Sequence, residues 1–362
     1  MTGAHSAFRA RRVLVTGHTG FKGGWLVAWL RQLGAVVGGL ALAPEGTPNL
    51  FEQGRIADGI AHRVVDIRDA GQVARAFADL RPEIVFHLAA QAIVGEGYAE
   101  PVTTVATNVL GTAILLEAAR ACATTRVVVV VTSDKCYRNE DRDGAFRETD
   151  PLGGHDPYSA SKAAAEIVTA PYFGAMAQRR SGAAAGIPFH VATVRAGNVI
   201  GGGDWANFRI VPDFVRAATG EGRLQLRAPT AVRPWQHVLE PLNGYLTLAE
   251  RLWAGDPGAV GAWNFGPRLE NAVTVAELVA ALQAAWPERR VQVEAIDAPF
   301  REATFLRLDI DKAWTGLGWR PKFDLATTVA WTADWYRAHA AGGDLRAVTD
   351  RQIADYAALT AS

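Results

Sequence analysis

The chain has 362 residues, 49% hydrophobic and 20% charged, enough to bury a large core across roughly two domains. Its 37 basic and 37 acidic residues cancel to zero formal charge, which argues against nucleic acid or an acidic membrane surface as the main partner but leaves room for a local phosphate pocket. Cys122 and Cys136 make no disulfide framework and suit a reducing, cytoplasmic compartment; no signal peptide is visible, and no uncharged apolar run reaches the roughly 18 residues of a membrane span.

Met1–Arg11 reads as a loose tail. Arg12–Thr16 is an apolar, β-branched strand signal, and Gly17-His18-Thr19-Gly20-Phe21-Lys22-Gly23 follows at once. A helical pattern comes next, with Leu26, Leu30 and Leu33 on one face. Strand, glycine-rich turn and helix together make a dinucleotide site. The glycines let the backbone approach a pyrophosphate, and the helix N-terminus offers free N–H groups to its oxygens.

Val36–Leu42 reads as a second strand and Arg63–Asp66 as a third. A helix with Val73, Phe77 and Leu80 at core spacing follows. Ile84–Leu88, Val127–Val131 and His190–Val194 complete six strands. Runs this apolar suit a parallel sheet covered on both faces, and their alternation with helices predicts a doubly wound, Rossmann-type α/β sheet. This gives a nucleotide-binding domain over 1–195, with a later segment near 231–260 returning to it. A smaller mixed α/β substrate domain takes most of 196–362. In that second part strands are expected near Leu224–Leu226 and Ala262–Phe265. Helices are expected near Val275–Ala285 and around Trp331, Trp335 and Tyr336. There are no repeats and no long linker.

Tyr158-Ser159-Ala160-Ser161-Lys162 places Tyr158 and Lys162 four apart, on one face of a predicted helix. A lysine one turn from a tyrosine lowers the phenol pKa by favouring phenolate, which can then accept a proton from a substrate hydroxyl while a nicotinamide takes the hydride. Alone, the pair reads equally as a surface Tyr and Lys. Its context, after a strand ending in Thr132-Ser133 and downstream of the glycine turn, favours catalysis.

On these motifs the chain resembles the extended short-chain dehydrogenase/reductase superfamily from about Val13 to the C-terminal helix. The resemblance is carried by the Gly17–Gly23 turn, His87-Leu88-Ala89-Ala90, Asn108, Ser133 and Tyr158/Lys162. Within it the chain is similar to the CDP-glucose 4,6-dehydratases. There the carrying residues are Thr132-Ser133-Asp134-Lys135-Cys136-Tyr137, the Arg195–Trp205 block, Arg233–Val238 and Asn264-Phe265-Gly266-Pro267. The resemblance implies NAD as cofactor, CDP-glucose as substrate, deoxysugar and O-antigen synthesis as context, and a homodimer or dimer of dimers through helices near Asn108–Arg120 and Tyr158–Met176. It places Asp66, Ile67, Leu88, Ala89, Ala90 and Asn108 beside the cofactor with Gly17–Gly23, Tyr158 and Lys162. Gln91, Asn198, Arg209, Arg233 and Glu302 fall on the substrate.

Related dehydratases carry Asp-Glu where this chain has Asp134-Lys135, at the C-terminal end of a central strand where ligands sit in such sheets. A salt-bridged loop pair is the plain alternative. The implied reaction has Tyr158 deprotonate the 4-hydroxyl as carbon 4 gives hydride to NAD, with Ser133 on the 4-oxygen. Lys135 then removes the carbon-5 proton while Asp134 protonates the departing 6-hydroxyl, and hydride returns to carbon 6. A lysine base needs its pKa lowered by desolvation or nearby positive charge.

Arg209 and Arg233 are candidates for bidentate contact with a pyrophosphate, against the ordinary reading of solvated loop arginines. Asn198 reads equally as a substrate contact or a turn residue. His87 and His237 read equally as functional or as satisfied structural histidines, and Trp25 and Trp29 read as packing. No Cys/His or carboxylate cluster has metal spacing. One departure stands out. The acid expected about 20 residues beyond the glycines, for the adenosine ribose, is absent: the second strand ends Leu40-Ala41-Leu42-Ala43-Pro44, with Glu45 beyond. NAD over NADP therefore rests on the resemblance. Two rivals remain. One is an NDP-sugar epimerase or a dehydratase of another nucleotide sugar. The other is a non-catalytic nucleotide sensor, against which the intact Ser133, Tyr158 and Lys162 speak.

Overall fold

The computed structural model describes residues 5–140, 144–268, 272–296 and 306–361. Thirteen described strands follow in chain order: β1 Arg12–Thr16, β2 Val36–Ala41, β3 Ala61–Val64, β4 Ile84–His87, β5 Val127–Val131, β6 His190–Arg195, β7 Val199–Ile200, β8 Arg223–Leu226, β9 Val232–Pro234, β10 Gln236–His237, β11 Gly261–Asn264, β12 Ala272–Thr274 and β13 Gln292–Ala295. The helices are α1 Phe21–Gln32, α2 Leu50–Gln53, α3 Ala70–Leu80, α4 Val94–Ala99, α5 Pro101–Val105, α6 Gly111–Ala121, α7 Pro157–Thr169, α8 Ala175–Gln178, α9 Ile210–Thr219, α10 Leu239–Trp253, α11 Val275–Ala285, α12 Leu325–Ala340 and α13 Leu345–Ala361.

Seven strands form one sheet in the order β11-β6-β5-β4-β1-β2-β3, with all neighbours parallel. This is the expected doubly wound Rossmann arrangement, and the order reverses between β1 and β4, where such sheets open a ligand crevice. The valines of β5 show why the strands read as unbroken apolar runs. Val127 and Val129 enter the core on one face of the sheet, Val128 and Val130 the core on the other. The first face carries α1 and α10 residues such as Trp25, Leu26 and Leu246, the second α3 and α6 residues such as Phe77 and Leu116. Trp25 and Trp29 are fully buried, as packing residues should be.

The later chain returns to the sheet. β11 adds a strand beside β6, with Gly261 opposite Ala192, while the three two-stranded pairings β7/β10, β9/β12 and β8/β13 lie outside the main sheet.

The N-terminus differs from expectation. From His5 onward it is anchored, not loose: Phe8 is fully buried, Ala10 N donates to Gly34 O at 2.8 Å, and His5 bonds Glu250 and Asn243. Burial of the Phe8 ring, worth about 1.5–3 kcal/mol, together with these hydrogen bonds offsets the ordering entropy of the segment. β3 also begins and ends two residues earlier than the sequence suggests, so Val65 and Asp66 lie past its end. α5 and α6 join through a π-type turn, Ala106–Leu110, into one helix over Pro101–Ala121. By length and hydropathy this is the one described helix long and apolar enough to cross a membrane, yet Leu115, Leu116 and Ala119 are buried against the sheet.

Candidate active site

A cleft of about 2140 Å³ opens over the C-terminal ends of β1, β4 and β5. Its floor begins at the glycine turn. Gly17 is left-handed, φ +72°, and a Cβ there would meet Ala89 N at 2.7 Å; at Gly23 it would meet Gly17 O at 2.2 Å. Side chains are excluded where the backbone must come closest. The α1 cap, Gly20, sends no side chain to the first-turn N–H groups, so they remain available to an anion. Gly17, Thr19, Gly20, Phe21, Lys22 and Gly23 line the cleft. His18 does not. Its ring is fully buried beneath β2, 2.7 Å from His62 Nδ1 and edge-on to Phe51, and burial followed by His62 drives its pKa down to about 4. It is a neutral packing residue of the turn.

The other expected cofactor residues divide the same way. Asp66, Ile67, Leu88, Ala89 and Ala90 line the cleft, although Arg68 grips the Asp66 carboxylate at 2.6 Å. Asn108 is buried behind it. Its Oδ1 accepts from Gln91 N, and its Nδ2 donates to Gln91 O and Ser161 Oγ, tying the loop after β4 to α7. At the end of β2, Thr19 Oγ1 donates to Leu42 O, and Glu45 is the acid that lines the cleft there. His87 bridges Thr16 and Thr112 and is held neutral, its pKa lowered by burial to about 3.

At the end of β5, Ser133 caps a single 3₁₀ turn, Asp134–Cys136, by accepting from Lys135 N. Ser133 Oγ donates to Asp134 Oδ1 at 3.1 Å. Asp134 is 3% exposed; burial raises its pKa, with Lys135 and Ser133 opposing, and its Oδ2 has no hydrogen-bond partner within the protein. A buried carboxyl pushed upward is a proton donor in waiting. Gly197 backs directly onto it: a Cβ there would lie 1.7 Å from Oδ2.

α7 presents Tyr158 and Lys162 to the same space, with Pro157 opening the helix and Asp156 capping it. Lys162 Nζ donates to Val131 O, and burial lowers its pKa to about 8, with Glu166 opposing. Tyr158 departs from expectation. Burial pushes its phenol up to about 12, against the opposing pull of a hydrogen bond with Ser133 and the charge of Arg209.

Arg209, Arg233, Asn198 and Gln91 also line the cleft. Asp204 holds Arg209 at 2.9 Å. Arg233 is 8% exposed and adds positive charge near Asp134. Asn198 lines the cleft and is left-handed, φ 48°, just before β7. Gln91 has its amide bonded to Ile93 and Thr104. Glu302 lies outside the described residues. His237 packs among Trp25, Phe323 and Trp331, with its pKa lowered to about 3 by burial.

One catalytic-centre cation was assigned by sequence only to the cofactor. Lys22 Nζ donates to Tyr245 OH at 3.5 Å, and its pKa falls to about 7 through burial, then Arg209 and Lys162. Asp134 is the opposing charge, so the two groups act on one another within the cleft. Its position in a glycine motif concealed this. Among the described residues no group of His, Cys, Asp or Glu is placed to hold a metal.

The family model for GDP-mannose 4,6 dehydratase matches residues 14–332. A CDP-glucose 4,6-dehydratase of Salmonella typhimurium is 41% identical over 353 residues, covering 98% of both chains. A dTDP-glucose 4,6-dehydratase of Streptomyces antibioticus is 32% identical over 273 residues, 75% of each chain. Among solved structures, a UDP-glucose-4-epimerase of Stenotrophomonas maltophila superposes with a TM-score of 0.78 at 23% identity, covering 92% of this chain and 100% of that one, and shares the fold.

Proposed function

The chain belongs to the GDP-mannose 4,6-dehydratase family, and from that premise we propose that it converts CDP-glucose to CDP-4-keto-6-deoxyglucose with NAD as resident cofactor. The observation that carries this reading is one cleft holding the glycine cradle, the Tyr158/Lys162 helix and the Asp134-Lys135 turn. The named relative supplies the nucleotide: it is a CDP-glucose 4,6-dehydratase.

The cradle fits a dinucleotide. Side chains are excluded at Gly17 and Gly23, where a Cβ would meet neighbouring backbone, and the N-terminus of α1 has no side-chain cap to compete with an anion. Gly17, Thr19, Gly20, Phe21, Asp66, Ile67 and Ala89 would hold the cofactor. When bound, NAD would supply the hydride acceptor at carbon 4 and the hydride donor at carbon 6 of the sugar.

The protein's own residues manage the protons. Tyr158 Oη takes the proton of the 4-hydroxyl, assisted by the positive charge of Lys162 and by Ser133 on the same oxygen. The ketone at carbon 4 acidifies the carbon-5 proton, and Lys135 Nζ removes it and then returns a proton to carbon 5 as hydride adds at carbon 6. Asp134, whose pKa is raised by burial, gives a proton to the departing 6-oxygen so that water leaves. Arg233 and Arg209 hold the diphosphate of the substrate. An epimerase has no leaving group to protonate, so the Asp134-Lys135 pair separates the two readings.

Residues 1–195 with β11 and α10 form the cofactor half, and most of 196–362 the substrate half. The dimer forms through α5–α6 and α7, which leave Val102, Val105, Leu110 and Ile167 exposed at 80%, 48%, 53% and 60%. The two unbridged cysteines suit a cytoplasmic enzyme supplying deoxysugars, including those of O-antigen. Incubation with CDP-, dTDP-, GDP- and UDP-glucose tests the reading: 4-keto product should form with CDP-glucose, without net release of reduced cofactor. Stoichiometric release would make the protein a simple dehydrogenase, and product from another nucleotide alone would move the specificity.

A further inference from the structure

Beneath the cleft lies a buried ion pair that the reaction does not use. Glu166 is on α7, one turn beyond Lys162, and Arg195 ends β6; their side chains are 2% and 3% exposed. Arg195 Nε and Nη2 donate to the two carboxylate oxygens, each at 2.9 Å. Thr193 Oγ1 donates to Glu166 at 2.7 Å. A buried pair of this kind roughly breaks even in stability, because desolvation of both charges offsets their attraction. Its worth therefore lies in what it holds in place.

What it holds is the Ser133–Cys136 segment, at both ends. Thr132, immediately before Ser133, donates through Oγ1 to Glu166 Oε1 at 2.5 Å. Tyr137, immediately after Cys136, accepts from Arg195 Nη1 at 2.7 Å and donates to Asn264 Oδ1 at 2.7 Å. Its ring lies under the guanidinium at 4.8 Å and stacks on Phe146. Glu166 shares α7 with Tyr158 and Lys162.

We propose that the Glu166–Arg195 pair, acting through Thr132 and Tyr137, is a positioning device that fixes the Asp134-Lys135 turn relative to Tyr158 and Lys162, so that elimination occurs on a sugar already seated for oxidation. This rests on the dehydratase reading above. Both half-reactions need one substrate pose. The oxidising groups ride on a helix and the eliminating groups on a short turn, so their spacing must be imposed from outside the turn. A misplacement of 1 Å can cost about a hundredfold in rate.

The test is single-turnover kinetics with CDP-glucose and NAD, following the rise and decay of reduced-nicotinamide absorbance, with thermal unfolding measured in parallel. Tyr137→Phe keeps the stacked ring and removes both hydroxyl bonds. The rise should stay within about twofold of wild type, and the decay should slow roughly ten- to hundredfold, so that reduced nicotinamide accumulates. Thr132→Val should do the same and Thr132→Ser should restore the wild-type pattern. If Tyr137→Phe does not fold, the Thr132 pair decides. A merely structural role would lower the unfolding midpoint with rise and decay unchanged in proportion, and that result in both variants overturns the proposal. Absence of 4-keto product from the wild-type protein itself would instead overturn the dehydratase reading, and the positioning role with it.

Discussion

Two turns, each at the C-terminal end of a parallel strand, build this site by opposite means. Gly17–Gly23 after β1 works through its backbone: side chains are excluded at its closest approaches, and its one histidine is packed away under β2. Ser133–Tyr137 after β5 works through side chains, with a buried carboxyl of raised pKa at its centre and a buried ion pair beneath. A pyrophosphate needs many weak, fixed dipoles, which peptide groups supply without desolvating a charge. Proton transfer needs groups that change charge, and those must be buried, tuned and held. Damage to the charged turn and its partners on α7 should therefore appear in rates, and damage to the glycine turn in cofactor affinity.

The largest test of that contrast is Tyr158→Phe. Loss of an essential proton acceptor should reduce turnover on the order of a thousandfold while CDP-glucose binding, read by calorimetry, survives. An undiminished rate would assign the base to another group. Asp134→Asn and Lys135→Met come next, at roughly a hundredfold on elimination, with the first oxidation spared and reduced nicotinamide building up in the protein. A block before any reduction would show these residues seating the substrate instead.

On the glycine side, Gly23→Ala puts a Cβ 2.2 Å from Gly17 O, so the turn must open. The dissociation constant for NAD should rise roughly tenfold or more, with little change in turnover at saturating cofactor. A drop in saturated rate at unchanged affinity would break the division between the two turns. Ala43→Asp should act in the reverse sense, offering the ribose the charge-assisted hydrogen bond that β2 lacks. The class is worth about 1.5–3 kcal/mol, and with Pro44 beside it a gain of about tenfold is expected at most. Stripped wild-type protein should accordingly gain activity on adding NAD.

The smallest effect is in pH. Lys162 is useful as a cation, and its pKa is lowered to about 8. The contribution of Lys162 to turnover should be full well below that value, halved near it, and lost as pH rises further, because the deprotonated amine no longer favours phenolate. Lys162→Met should show a low rate without that alkaline limb. A limb at the same pH in the variant would belong to another group.

Local sequence determined the skeleton of this protein. Strand periodicity, the glycines after β1 and the four-residue spacing of Tyr158 and Lys162 are short-range features. Each fixes its own geometry whatever surrounds it, so the doubly wound sheet and the location of both turns were legible. Asp134 and Lys135 were legible too, as residues at a strand end where such sheets bind ligands. What only the tertiary structure decided depends on burial. The sequence cannot show that His18 turns inward against His62, that Phe8 pins the N-terminus, or that the charges of Lys22 and Asp134 act on one another. Nor does it show that desolvation raises the Tyr158 phenol against the expected pull of Lys162. The Glu166–Arg195 pair joins residues 29 apart in the chain and reaches Tyr137 and Asn264 from other elements. Desolvation and charge pairing are sums over neighbours that only folding assembles, so groups governed by them take their roles from the three-dimensional surroundings.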